Sequence, residues 1–206
     1  APMLVLSITV VVVMIAIAIK RSNFIAGTIS VIGLNAALFL LLAQMFGYFS
    51  PAQGFISSLF IVDSFAQFNM VIILISALAC FTLAYGYIEG YDDHKEELYL
   101  LMLIATLGGM LMVCSDHLAS FFISLELLSI PMYGMLAYTY ARGKSLEAGL
   151  KYLVLSATAS ATMLMGMALI YAFTGSLAFR SIGMGVIGGL QQGLSQPMLV
   201  VGAAMV

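Results

Sequence analysis

The stretch SDHLASFFISLELLSIPMYGMLAYTYARGKSLEAGLK, residues 115–151, decides the fold. Two apolar runs flank a short basic loop holding Arg142 and Lys144, and the first run carries one carboxylate, Glu126, in its interior. Pro131 follows one turn and a residue later, and Lys151 stands near the start of the second run. A helix that crosses a bilayer needs about 20 mostly apolar residues. Strands of a membrane barrel are about 9–11 residues long and alternate in polarity, which these runs do not. The pattern predicts two spanning helices joined by a basic turn, with one ionisable group held deep in the first.

Working outward, composition agrees. Hydrophobic residues make up 63% of the 206 and charged residues 8%, with a mean hydropathy of +1.14. Soluble domains carry about 25% charged residues, so a soluble fold could not cover its surface with this chain. An all-α integral membrane protein follows. A net charge of -2 leaves no basic stripe to neutralise phosphates, which excludes nucleic acid as a partner. Cys80 and Cys114 lie far apart in apolar runs, with no metal or redox spacing, and read as two reduced, buried thiols. No basic stretch precedes the first run and no small-residue cleavage site follows it, so no signal peptide is expected.

In chain order, the runs predict helices over residues 3–19, 24–46, 67–87, 97–114, 117–140 and 147–173. A seventh, beginning at 197, has only started at Val206. The expectation is one transmembrane domain over residues 1–206 with about six complete helices, the N-terminal part of a longer chain. Ser115 or Asp116 could cap the fifth helix. On the sixth, Ser156 and Ser160, like Ala157 and Ala161, have the small-xxx-small spacing that lets helices approach closely in lipid. Loops on one side hold Lys20, Arg21, Lys95, Arg142 and Lys144, whereas the other side holds only Arg180. The excess of Lys and Arg marks the cytoplasmic side, so the N-terminus is expected outside, in the periplasm.

Each candidate site has an ordinary alternative. SIGMGVIGG contains a G-x-G-x-x-G at Gly183, Gly185 and Gly188, but it lacks the preceding strand and later acid of a dinucleotide site. It reads as a flexible loop. EGYDDHKEE, with Asp92, Asp93, His94, Glu96 and Glu97, lacks the spacing of a calcium loop and reads as a solvated charge run, so no metal site is expected. His117, beside Asp116, is either an interfacial hydrogen-bonding residue or a possible proton relay. Glu147 precedes Lys151 by four residues, the favourable order for an ion pair, so Lys151 is open between snorkelling and function.

Glu126 stands apart. A charge at the centre of a spanning helix costs roughly 3 kcal/mol by the lower scales, and such groups face the bundle interior or a water path. Burial and a nearby cation act in opposite directions on a carboxyl's proton affinity. A group so placed exchanges its proton in response to its neighbours. The alternative is a carboxylate that only ties helices together.

HLASFFISLELLSIPMYGMLAY and SLEAGLKYLVLSATASATMLMGMALIYAFTGSL, together with SVIGLNAAL and EELYLLMLIATLGGML, resemble the subunit N family of the bacterial proton-pumping NADH:quinone oxidoreductase, respiratory complex I. These antiporter-like membrane subunits are related to the large subunits of multisubunit cation/proton antiporters. The resemblance covers essentially the whole chain. It implies that Glu126 matches the family's membrane-embedded glutamate and Lys151 a lysine of the sixth helix, both implicated in proton translocation. The family's further lysines, on the seventh, eighth and twelfth helices, fall beyond Val206. Asp116 stands where the family has a neutral residue.

The resemblance implies a membrane-arm subunit in the cell inner membrane, coupling electron transfer from NADH to quinone with proton translocation. Its partners would be the other membrane subunits of a hetero-oligomeric complex and the lipid bilayer. It implies no cofactor on this chain, since NADH, FMN, iron–sulfur clusters and quinone bind other subunits. The competing readings are a cation/proton antiporter subunit and a structural scaffold of the membrane arm.

Overall fold

The computed structural model describes residues 2–47, 54–57, 59–88, 96–138, 143–191 and 197–206. Its order is α1 (Pro2–Ile19), α2 (Asn23–Met45), β1 (Gly54–Ser57), β2 (Phe60–Val62), α3 (Ser64–Ile88), α4 (Glu96–Val113), α5 (Leu118–Ala137), α6 (Gly143–Thr174), α7 (Phe179–Gln191) and α8 (Pro197–Met205). Six of these helices, α1 to α6, are long and apolar enough to cross a membrane. In lipid every backbone group must find its partner internally, and a helix supplies that within one segment.

Side-chain hydroxyls follow the same rule. Ser30 Oγ donates to the Ala26 carbonyl at 2.7 Å, Thr106 Oγ1 to Met102 at 2.7 Å and Ser124 Oγ to Ser120 at 2.7 Å. Each bonds one turn back along its own helix, the standard way to satisfy a hydroxyl without water. Large apolar side chains point outward instead, Leu83 at 75% exposure and Leu155 at 70%. A surface this apolar is an interaction surface by its nature, and here it matches lipid. Cys80, expected to be buried, is exposed on α3; an apolar run that faces lipid has no need to bury its small hydrophobes.

Helices α1 to α4 share one core centred on Leu6, Leu34, Leu74, Phe81, Tyr99 and Leu103. A second cluster joins α5, α6 and α7 through Leu118, Met163, Met167 and Ile170, with Phe121 and Ile182 against it. Glycine sets the closest approaches. A Cβ on Gly108 of α4 would fall 2.6 Å from the Leu128 amide nitrogen, so α4 meets α5 backbone to backbone. That contact is two residues from Glu126 and close to where Pro131, lacking an N–H, leaves the Leu127 carbonyl without its helical donor.

At one end of the bundle three connections are stitched together. β1 and β2 pair antiparallel, Gly54 opposite Val62 and Phe55 opposite Ile61. The Ile61 amide then donates to the Cys114 carbonyl at 2.8 Å, and the Asp116 amide to Leu59 at 3.0 Å. On the far side of this turn the Leu118 amide donates to Leu177 at 2.8 Å and the Phe179 amide to Asp116 at 3.2 Å. Gly175, at φ 68°, ends α6 in the left-handed conformation that glycine adopts freely.

The structure revises three further expectations. The glycine-rich segment is a helix, α7, and not a loop: Phe179 stacks edge-on against Phe121 at 6.4 Å, and packing of this kind outweighs the cost of glycine. The cap of α5 is neither Ser115 nor Asp116 but His117, whose Nδ1 accepts from the Ala119 amide at 3.2 Å. Both earlier residues lie in the turn whose backbone is stitched to its neighbours. Ala157 and Ala161 are exposed, whereas Ser156 and Ser160 face α5; α6 also comes close to α8, at Gly166 and Gly202. The charge run at residues 89–95, with Asp92, Asp93 and His94, lies outside the described residues.

Candidate functional site

Helices α5 and α6 form an antiparallel pair, and polar side chains cross between them at successive levels, beginning with Ser145 Oγ, which donates to the Leu136 carbonyl at 2.8 Å. Near the joining loop Gly149 packs on Ala137 closely enough that a Cβ would fall 2.8 Å from Ala137 Cβ. Moving along the pair, the rings of Tyr133 and Tyr152 meet edge to face at 5.5 Å, and the Tyr133 hydroxyl donates to Ser156 Oγ at 2.7 Å. Further on, Ser160 Oγ donates to Glu126 Oε1. Beyond that the interface turns apolar, with Phe122, Leu164 and Met167 lining a cleft of about 300 Å³.

Glu126 is half-buried and sits about 12 Å along α5 from Leu118 and about 16 Å from Ala137, at 1.5 Å per residue. It therefore lies near mid-depth of the helix. A polar group there is costly to leave without a partner, and a donor aimed at its oxygen offsets part of that cost. The Gly108 contact holds the other side of α5, so Glu126 has α4 behind it and α6 in front.

The other candidates stand apart from it. Lys151 is exposed and pairs with Glu147 one turn earlier; it lies about 13 Å along α6 from Ser160. His117 lies about 13 Å along α5 in the opposite direction, with Asp116 beside it in the stitched turn. The structure thus brings Glu126 to Ser160 and does not bring it to Lys151, His117 or Asp116. Among the described residues no group of three His, Cys, Asp or Glu side chains could hold a metal ion.

Ser160, Ser156 and Tyr133 carry no role in the sequence reading, where the two serines count only as small packing residues. The signal that could have found them is positional. Tyr133 falls seven residues after Glu126, on the same helical face, and Ser156 and Ser160 are neighbours on α6.

Comparison with known proteins follows these lines. Residues 115–206 match the family described as NADH:quinone oxidoreductase/Mrp antiporter, TM. NADH-quinone oxidoreductase subunit N of Psychrobacter arcticus is 61% identical over 210 aligned residues, covering 100% of this chain and 41% of that protein. Subunit N of Acinetobacter baumannii is 54% identical over 207, covering 100% and 40%. The chain thus spans about two-fifths of the length of these curated relatives. A chain of respiratory complex I from Thermus thermophilus with bound aureothin superposes with a TM-score of 0.72 at 28% identity, covering 98% of this chain and 43% of that one. A chain of the membrane-bound sulfane sulfur reductase, an archaeal respiratory membrane complex, shares the fold with a TM-score of 0.79 at 20% identity, covering 99% and 42%.

Six bilayer-length helices among the described residues, with one carboxyl held between two of them, define a multi-pass membrane chain whose residues 115–206 are similar to membrane subunits of oxidoreductases and antiporters. Within that class, the chain is homologous along its whole length to NADH-quinone oxidoreductase subunit N.

Proposed function

We propose that this chain acts as a membrane-arm subunit of a proton-pumping NADH:quinone oxidoreductase in the bacterial inner membrane. On this reading Glu126 takes up and releases the translocated proton. NADH, FMN, iron–sulfur clusters and quinone belong to partner subunits, and this chain contributes part of the proton path. The N-terminus and the stitched end, with Asp116 and His117, face the periplasm. There Nδ1 of His117 accepts the cap bond from the Ala119 amide, which leaves Nε2 as the ring's donor nitrogen. Lys151 acts at the cytoplasmic end of α6, next to Glu147, and not as a direct partner of Glu126.

The observation that carries the reading is Glu126 itself: one carboxyl near mid-depth of an apolar helix, accepting a hydrogen bond from the next helix. The whole-length identity with subunit N favours the oxidoreductase over a free-standing antiporter subunit.

Glu126→Gln in the intact complex, assayed for proton translocation in sealed liposomes, tests it. Gln keeps the shape and still accepts from Ser160 but cannot exchange a proton, so translocation should fall about tenfold or more, as for loss of a positioned proton-transfer group. The bond between Glu126 and Ser160 also suits a scaffold role, in which the pair only fixes α5 against α6. A scaffold predicts that the Gln variant, once assembled, pumps normally.

A further inference from the structure

Most hydroxyls in the spanning helices bond to their own backbone one turn back: those of Ser7, Thr9, Thr28, Ser30, Thr106 and Ser124 all do so. Thr158 and Thr162 on α6 do the same. Their neighbours Ser156 and Ser160 break the habit. Each reaches across to α5, Ser160 to Glu126 and Ser156 to the hydroxyl of Tyr133. Two departures in successive turns, on one interface and beside the half-buried Glu126, form a pattern that packing does not require.

The depth and direction of the row give it a use. Ser156 and Ser160 stand on one face of α6, their Cβ atoms about 5–6 Å apart as for any such pair. A rotation of the hydroxyls or one bridging water spans that gap. Tyr133 lies about 10 Å along α5 from Glu126 and about 6 Å from the helix end at Ala137. Glu126, Ser160, Ser156 and Tyr133 thus step from mid-depth to the loop that joins α5 to α6, the end at which Glu147 and Lys151 pair. In the other direction the cleft that continues the interface is lined by apolar side chains and by Tyr171.

We propose that Ser160, Ser156 and Tyr133 form a hydroxyl relay that supplies protons to Glu126 from the α5–α6 loop end; this rests on Glu126 being the proton-exchanging group. In one transfer the Ser160 hydroxyl gives its proton to the Glu126 carboxylate and takes one from Ser156. Ser156 takes the proton of Tyr133, and Tyr133 is reloaded from the loop side. Each O–H bond broken is matched by one formed at the next oxygen, and rotation of the hydroxyls resets the row. Tyr133 is held for this by its edge-to-face contact with Tyr152.

The test uses the intact complex in sealed liposomes, with the rate of proton translocation during NADH oxidation measured per assembled complex. Tyr133→Phe keeps the ring contact and removes only the hydroxyl; Ser156→Ala removes one hydroxyl, and Ser156→Thr restores it. Translocation about tenfold lower in Tyr133→Phe and Ser156→Ala, and recovered in Ser156→Thr, supports the relay. Equal losses in Ser156→Ala and Ser156→Thr overturn it, because the hydroxyl is then not what matters. Parental rates in Tyr133→Phe and Ser156→Ala, with Glu126→Gln inactive, overturn the relay and leave the role of Glu126 standing. A parental rate in Glu126→Gln removes that underlying role and the relay with it.

Discussion

Cys114, one residue past the end of α4, is buried in the turn whose carbonyl accepts from Ile61. Burial pushes its thiol up from 9.0 to about 12, and the Asp63 carboxylate adds to the rise. The fold thus favours the neutral thiol. That contribution to stability is complete below pH 9 and fades as pH climbs from 9 towards about 12. Since only the thiolate reacts, an ordinary thiol is about one-tenth reactive at pH 8, whereas Cys114 is so to about one part in ten thousand. In a Cys80→Ala background, folded protein should resist maleimide at pH 8 and label fully once unfolded in detergent. Rapid labelling of the folded form would show that the turn is open. Burial of this kind was invisible in sequence, which gave Cys80 and Cys114 the same apolar surroundings. Glu126 was legible for the opposite reason: a lone acid in an apolar run has few ways to be tolerated. Ser160 was not, because a serine in a membrane helix serves equally for packing, back-bonding or reaching a neighbour.

The six spanning helices were readable to within a few residues, since a run of apolar residues as long as the bilayer is thick leaves no other reading. Elements set by partners distant in sequence were not. The hairpin of β1 and β2 takes its place from bonds to Cys114 and Asp116, and no local period encodes those. Helix α7 forms although Gly183 and Gly185 each oppose it by about 1 kcal/mol. The glycines themselves divide by what surrounds them. A Cβ on Gly166 would fall 2.7 Å from the Gly202 carbonyl oxygen, and one on Gly202 would fall 2.9 Å from that of Gly166. Both obstacles are backbone, so no rotamer change relieves them. Gly166→Ala should therefore lower stability by about 1–3 kcal/mol, the usual cost of overpacking. Gly183 has nothing within 4 Å of the added carbon, and Gly183→Ala should be neutral or stabilising by up to about 1 kcal/mol. Thermal unfolding of the two variants in the purified complex separates these cases, and equal midpoints would contradict the crossing at Gly166.

Across the whole molecule the two ends of the bundle are built from different materials. One end carries charged pairs, with Arg21 of the α1–α2 turn meeting Glu97 of α4 at 3.7 Å and Lys151 pairing with Glu147 within α6. The other is held by backbone, where β2, the turn from Cys114 to His117 and the turn before α7 share hydrogen bonds. Surface ion pairs of the first kind contribute about 0–1 kcal/mol each, so the first end is the looser one. The proposed relay opens there, and Glu126 lies between that end and the stitched one. Charge then predicts the sides: Lys20, Arg21 and Lys144 at the looser end outnumber Arg180 at the stitched one, so the looser end is expected in the cytoplasm. Single cysteines check this directly. Ser22 makes no side-chain cap bond, so Ser22→Cys perturbs little, and Ser181→Cys reports the opposite end. With Cys80 replaced by alanine, an impermeant thiol reagent added to right-side-out membranes should label Ser181→Cys at once and Ser22→Cys only after the vesicles are opened. The reverse order would turn the chain over, put the relay's entrance on the periplasmic face, and make it a path for proton release.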